Sequence, residues 1–213
     1  MSDYNPFGQS SSLIGKRLPK DGNMNWVVET GPETEPVSLA ELKTFSRITT
    51  SAEDDLLTGF IVSARMAAEE YTGRAFIEQT IKALMDFWPG DVIDLPRPPL
   101  ISITKVFTLD EDDAETEYSS SSYYCIPSAQ PGKLIIKQSV SEPENTSRDY
   151  SGFGIRYKAG YGTVSSDVPE IIRDGIKLWA AAIYSTRVVD PKNPPPEAKS
   201  KLDLYRRSSL VVR

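Results

Sequence analysis

PVSLAELKTFSRITTSAEDDLLTGFIVSARMAAEEYTG, residues 36–73, contains two consecutive helices with their own start and stop signals. Ser38 followed three residues later by Glu41 is a capping box, in which the hydroxyl and the carboxylate each satisfy a backbone N–H that the first turn leaves orphaned. Leu39, Leu42 and Phe45 follow at helical spacing, so a short helix is expected over 38–46. Arg47-Ile48-Thr49-Thr50 then turns the chain. A second cap is available from Thr50 with Glu53 or Ser51 with Asp54, and acidic residues in the first turn suit the helix dipole. Leu57, Phe60, Ile61, Ala64, Ala68 and Tyr71 form one apolar stripe over 52–72, and Gly73 supplies the left-handed residue that closes the helix.

Working outward toward the C-terminus, the periodicity changes from helical to extended. Gln79–Trp88 reads as a strand closed by Pro89-Gly90, and Val92–Leu95 is a short extended piece running into Pro96-Arg97-Pro98-Pro99. Ile101–Leu109 alternates and ends in Asp110-Glu111-Asp112-Asp113, a solvated hairpin tip. Tyr123–Ile126 and Lys133–Lys137 are further strands joined by a turn at Gln130-Pro131-Gly132. Residues 138–151 are polar loop, and Gly154–Lys158 is the last strand. A third helix is expected over 168–187, with Asp167 as cap, Pro169 in the first turn and Ile172, Ile176, Trp179 and Ile183 on its buried side. The sum is an α+β domain over 36–187: a small bundle of three main helices with a β-rich insertion between the second and third.

Outside this domain the composition is irregular. Residues 1–35 read as an extended arm of Asn, Gly, Ser and Pro, interrupted by the apolar Trp26-Val27-Val28, which reads either as an N-terminal strand docking on its own domain or as an arm docking on a neighbouring subunit. Residues 188–213 begin with the stiff Pro191-Lys192-Asn193-Pro194-Pro195-Pro196 linker, and helix is expected again from Glu197 to Arg206. From Arg187 to Arg213 seven basic and three acidic residues give +4 in a chain whose net charge is -6. That asymmetry marks an interaction tail. It reads as a solubilising end, as a partner for an acidic protein surface anchored by Leu202, Leu204, Leu210 and Val211, or, third, as a nucleic-acid contact with few phosphate-binding charges.

The composition excludes more than it includes. There is no histidine, which removes the commonest general base and the commonest zinc ligand. The single cysteine, Cys125, allows no intrachain disulfide or thiolate cluster and lacks an activating base. Asp110–Asp113 lacks the spacing of a cation loop. Asp86, Asp91 and Asp94 sit beside Pro89-Gly90 and Pro96, where polar turn residues belong, and no phosphate-cradling glycine loop occurs. No catalytic, cofactor or metal site is therefore expected. No signal peptide or membrane-spanning run is read, so the expected setting is a reducing cytoplasm.

Five motifs stand in order: Glu35-Pro36-Val37-Ser38-Leu39-Ala40-Glu41, Glu69-Glu70-Tyr71-Thr72-Gly73-Arg74-Ala75-Phe76, Leu95-Pro96-Arg97-Pro98-Pro99-Leu100, Arg156-Tyr157-Lys158-Ala159-Gly160-Tyr161-Gly162 and Val168-Pro169-Glu170-Ile171-Ile172. Over 36–187 this series resembles the head–tail connector (head-completion adaptor) proteins of tailed bacteriophages, prophages and gene transfer agents. The resemblance implies a non-catalytic neck subunit forming a ring, typically dodecameric, below the portal, with DNA passing through and tail or stopper proteins beneath, assembled in the host cytoplasm. It makes Leu202, Tyr205, Arg206, Arg207, Leu210 and Val211 candidates for gripping the portal; the N-terminal arm lies outside the pattern, and Trp26, Val27 and Val28 are candidates for subunit–subunit contact on their own apolar character. A net negative chain suits a channel through which DNA slides without sticking. The alternatives are a tail-completion or stopper ring of the same neck, or a monomeric carbohydrate-binding or hydrolase-type β-domain with convergent carboxylates.

Overall fold

The computed structural model describes residues 24–143, 148–188 and 190–206, and over these the chain is a mixed α/β protein with four α-helices and two antiparallel sheets. In chain order the elements are β1 (Asn25–Thr30), α1 (Leu39–Ser46), α2 (Asp54–Thr72), β2 (Gln79–Met85), β3 (Val92–Asp94), β4 (Leu100–Leu109), β5 (Glu115–Tyr118), β6 (Tyr123–Ile126), β7 (Lys133–Ile136), β8 (Phe153–Ala159), α3 (Glu170–Thr186) and α4 (Pro196–Leu202).

The capping box forms as its spacing predicts. The Glu41 amide donates to Ser38 Oγ at 3.2 Å and the Ser38 amide to Glu41 Oε2 at 2.8 Å. α2 closes on Gly73 at φ 69, whose N–H returns to the Glu69 carbonyl. The expected caps for α2 do not form: tertiary partners take the Glu53 and Asp54 side chains and a local turn takes Thr50. Glu53 accepts from the Tyr184 hydroxyl at 2.6 Å, Asp54 pairs with Lys43 at 2.6 Å, and Thr50 Oγ1 accepts from the Ala52 amide. Asp167 likewise caps the 3₁₀ turn before α3 by accepting from the Val164 amide, so α3 starts at Glu170 with Pro169 in the cap position.

The helices bury one apolar cluster in which Leu42, Leu57, Ile61, Ile172, Ile176 and Trp179 are all sealed from solvent. α4 belongs to it. Leu202 packs on Gly175 of α3, where a Cβ would come within 2.9 Å of the leucine, and Ala198 is fully buried. Part of the segment read as linker and tail is thus core.

The five-stranded sheet runs β1-β2-β8-β4-β5 and the three-stranded sheet β3-β7-β6. They share a second core: Ile81, Ala83, Met85, Ile155 and Tyr157 from the larger sheet meet Ile93, Tyr123, Leu134 and Ile136 from the smaller. One strand was not legible in the sequence. β5 pairs with β4 from Val106↔Tyr118 to Leu109↔Glu115, making Asp110–Asp113 the hairpin tip. Of the two readings of Trp26-Val27-Val28, the N-terminal strand docked on its own domain is the one that forms: β1 pairs with β2 from Asn25↔Leu84 to Thr30↔Thr80.

The two cores meet where residues 76–78 cross residues 160–162. Phe76 O accepts from the Tyr161 amide, and the Glu78 amide donates to Gly162 O at 2.8 Å. Gly160 sits there at φ 136, and a Cβ would lie 2.6 Å from the Ile77 carbonyl carbon. Backbone on one side and a left-handed φ on the other leave no way to relax. Gly160→Ala is expected to cost about 3 kcal/mol, the strain and overpacking together, read as a lower urea midpoint with unchanged m.

Candidate interaction surfaces

β1 is the edge of its sheet and has no strand partner on its outer side among the described residues. All six of its residues are exposed, including Trp26, Val27 and Val28. The pleat divides them. Trp26 and Val28 stand opposite Ala83 and Ile81 on the core side, while Val27 stands opposite Lys82 on the outer side. On the core side β1 and α2 flank a groove of about 600 Å³ whose walls include Val28, Pro32, Met66, Ala67, Glu70 and Arg97. Met66 is 58% exposed, an unusual position for a large apolar side chain and one that lies off the α2 stripe.

Arg97 forms one end of this groove. It adopts φ 58, uncommon for a non-glycine residue, and its guanidinium lies 4.6 Å from the Trp26 ring centroid. The same group donates to Glu70 at 2.7 Å and to the Arg74 carbonyl at 3.2 Å. Behind the groove runs a buried polar junction. Glu69 accepts from Arg65 at 2.9 Å, from the Phe76 amide at 2.9 Å and from the Gln79 side-chain amide at 2.9 Å, while Arg65 also donates to Glu35. Burial pushes the Glu69 carboxyl upward, opposed by Arg65.

The outer face of the large sheet carries a charged ladder. Arg156 bridges Glu29 at 2.6 Å and Glu115 at 3.1 Å, Lys105 reaches Glu115 at 2.9 Å and Lys82 reaches it at 3.4 Å. All three cations lie about the ring of buried Phe107, at 5.2–5.5 Å from its centroid. That ring covers Gly154, where a Cβ would fall 2.2 Å from it. Hydrogen bonding from Arg156, helped by Lys105, holds the Glu115 carboxyl down at about 2 against an ordinary 4.5. A carboxyl depressed on folding adds stability above its unfolded value and loses it as the pH falls toward the folded one. Unfolding free energy should therefore fall by about 1–2 kcal/mol between pH 4.5 and 2, after discounting for solvent screening. Glu115→Gln should flatten that part of an acid titration followed by urea denaturation.

The tail candidates separate into three kinds. Leu202 is fully buried and belongs to the chain's own core, which removes it from any exposed contact without unfolding α4. Tyr205 is half-buried, and its carbonyl accepts from Arg74 Nε at 2.6 Å. Arg206 is exposed and stacks on Tyr71 with 4.8 Å to the ring centroid. Arg207, Leu210 and Val211 lie outside the described residues. Two of the three acidic turn residues are held by partners distant in sequence: Asp86 accepts from the Ser151 amide and Asp94 pairs with Lys133. Cys125 is half-buried against the sheet core. No helix among the described residues is long and apolar enough to cross a membrane.

Residues 36–123 match the model of the phage gp6-like head-tail connector protein family. No curated protein matches the chain in sequence. Among solved structures, the chain is similar to one from the neck of an empty gene transfer agent particle computed with C6 symmetry, with TM-score 0.75 and 21% identity over 89% of this chain and 98% of that one. It is also similar to a chain of the virion of a native gene transfer agent particle, at 0.74 and 22% identity over 88% of this chain and 98% of that one. A third match is to the neck of a native particle computed with C12 symmetry, at 0.71 and 20% identity over 89% and 98%.

Proposed function

We infer that the chain belongs to the phage gp6-like head–tail connector family and works as a structural neck subunit joining head to tail. The family match over 36–123 carries this reading, and the shared fold with chains of gene transfer agent necks supports it. The role is structural rather than catalytic.

In its finer form, the subunits close into a ring, dodecameric in the typical case, below the portal and above the tail or stopper proteins, with DNA passing through without sequence-specific contact. A closed ring needs a heterologous interface, in which one face of a subunit meets a different face of its neighbour. The exposed β1 residues Trp26, Val27 and Val28 suit one side of that contact. The tail from Tyr205 onward, with Arg206, Arg207, Leu210 and Val211, suits the portal. Assembly takes place in the host cytoplasm before the subunit is locked into the particle neck.

Light scattering of the purified chain, alone and mixed with portal, tests this. A closed oligomer, or a monomer that becomes a ring only on portal, is the expected result, and a monomer indifferent to portal would refute it. The tail test must respect α4. Deleting from Pro194 would remove Ala198 and Leu202 and open the helical core. Ending the chain after Arg206 should leave the melting temperature unchanged and abolish portal attachment, and a truncated subunit that still attaches would sink the tail assignment.

A further inference from the structure

We propose that the groove between β1 and α2 receives Leu204 of a second copy of this chain, so that subunits join head to tail through two different faces. The inference rests on the reading of the chain as a self-assembling neck subunit and names the contact that assembly uses.

Leu204 carries the first half of the argument. It stands in the single turn Asp203–Tyr205 that follows α4, between the fully buried Leu202 and the half-buried Tyr205. At 71% exposure it is more open to water than any other described leucine, isoleucine or valine. The turn that displays it is pinned on both flanks. The Tyr71 hydroxyl donates to Asp203, Lys199 pairs with the same carboxylate, and Arg74 Nε donates to the Tyr205 carbonyl at 2.6 Å. A large apolar side chain is thus held outward on a fixed backbone, and docking it costs little further ordering.

The groove supplies the matching half. Val28, Pro32, Met66 and Ala67 give it apolar walls, Pro191 of the α3–α4 connection adds to them, and about 600 Å³ stays open between. Its charge is complementary to the surroundings of Leu204. Arg65 is buried and Arg97 mostly so, whereas the Glu70 carboxylate is 66% exposed and Glu33 is exposed next to Pro32, which leaves a negative rim. Beside Leu204 the Asp203 carboxylate is already taken by Tyr71 and Lys199, while Lys201 and Arg206 reach solvent. Val28 ties the groove to the β1 surface already suited to subunit contact. Tyr71, which holds the Leu204 turn, and Met66, on the groove wall, are five residues apart on α2 and so point about 140° away from each other. Knob and groove therefore lie on different faces. Such a contact is heterologous: every added copy leaves one groove and one knob unfilled until the chain of copies closes.

The test uses the full chain in a Cys125→Ser background, with one preparation carrying Met66→Cys and another Leu204→Cys. The two are mixed under mild oxidation and followed by non-reducing gel and intact mass. Both sites are exposed, so both variants should fold. The mixed disulfide dimer is expected to form on the order of tenfold faster than either preparation links to itself, because docking raises the local concentration of the two thiols. Equal rates would overturn the proposal. A single chain carrying both cysteines should give a ladder of interchain-linked oligomers, and an intramolecular disulfide in its place would show Leu204 filling its own groove and overturn the proposal too. Excess Cys125→Ser chain without either cysteine should slow the mixed dimer, whereas excess chain carrying Met66→Glu and Leu204→Asp should not; slowing by both would reduce the effect to random collision and sink the contact. None of these readouts involves portal. A favoured mixed dimer in a chain that ignores portal keeps the contact and refutes the neck reading, and a chain that rings on portal without favouring the mixed dimer refutes the contact alone.

Discussion

Trp179→Ala will lower the stability of the isolated subunit by about 3–5 kcal/mol, the cost of removing a large aromatic from a site that cannot collapse around the void. Trp179 is 1% exposed on α3, in edge contact with Tyr71 of α2 at 6.4 Å between ring centroids. Leu57 and Ile61 of α2 and Ile176 of α3 share its cluster. For a domain of this size the loss corresponds to a drop in melting temperature of roughly 10 °C. A near-wild-type melting curve would remove Trp179 from the core and turn that face of α3 into an interface.

Glu69→Ala should be comparably severe for a different reason. The carboxylate serves three donors at once, and its loss leaves the Phe76 amide and the Gln79 side chain without that acceptor in a buried space and the Arg65 charge with Glu35 alone. Breaking one side of a buried charged network costs about 3–5 kcal/mol. Glu69→Gln keeps a carbonyl oxygen and most of the shape, so it should lose clearly less. Equal losses for the two variants, measured by urea unfolding, would show that packing rather than hydrogen bonding holds the junction.

Helix positions were the part of this structure most legible in the sequence, because helices announce themselves locally. Ser38, Glu41 and Gly73 act within a few residues of where they stand. The motif from Arg156 to Gly162 was also visible, but its meaning was not, since the backbone that Gly160 nearly touches belongs to Ile77. The failures share that cause. Glu115-Thr116-Glu117-Tyr118 has the polarity of a loop and becomes β5 because β4 lies beside it. Leu202 looked like an exposed anchor in a basic tail, and only the absence of a side chain at Gly175 reveals that it is core. The groove is the extreme case. Val28, Met66 and Arg97 come from three separate segments, and the single hint was a methionine off the buried stripe of its helix.

The junction at Glu69 also sets how the subunit carries load. α2 is tied through Glu69 to the backbone at Phe76 and the side chain of Gln79, and through Arg65 to Glu35 ahead of α1. A torque applied to the helices reaches the sheet without a hinge in between, since bending there would strand buried charges. In the proposed ring, each subunit would then act as a stiff tile, with flexing confined to the seams between neighbours.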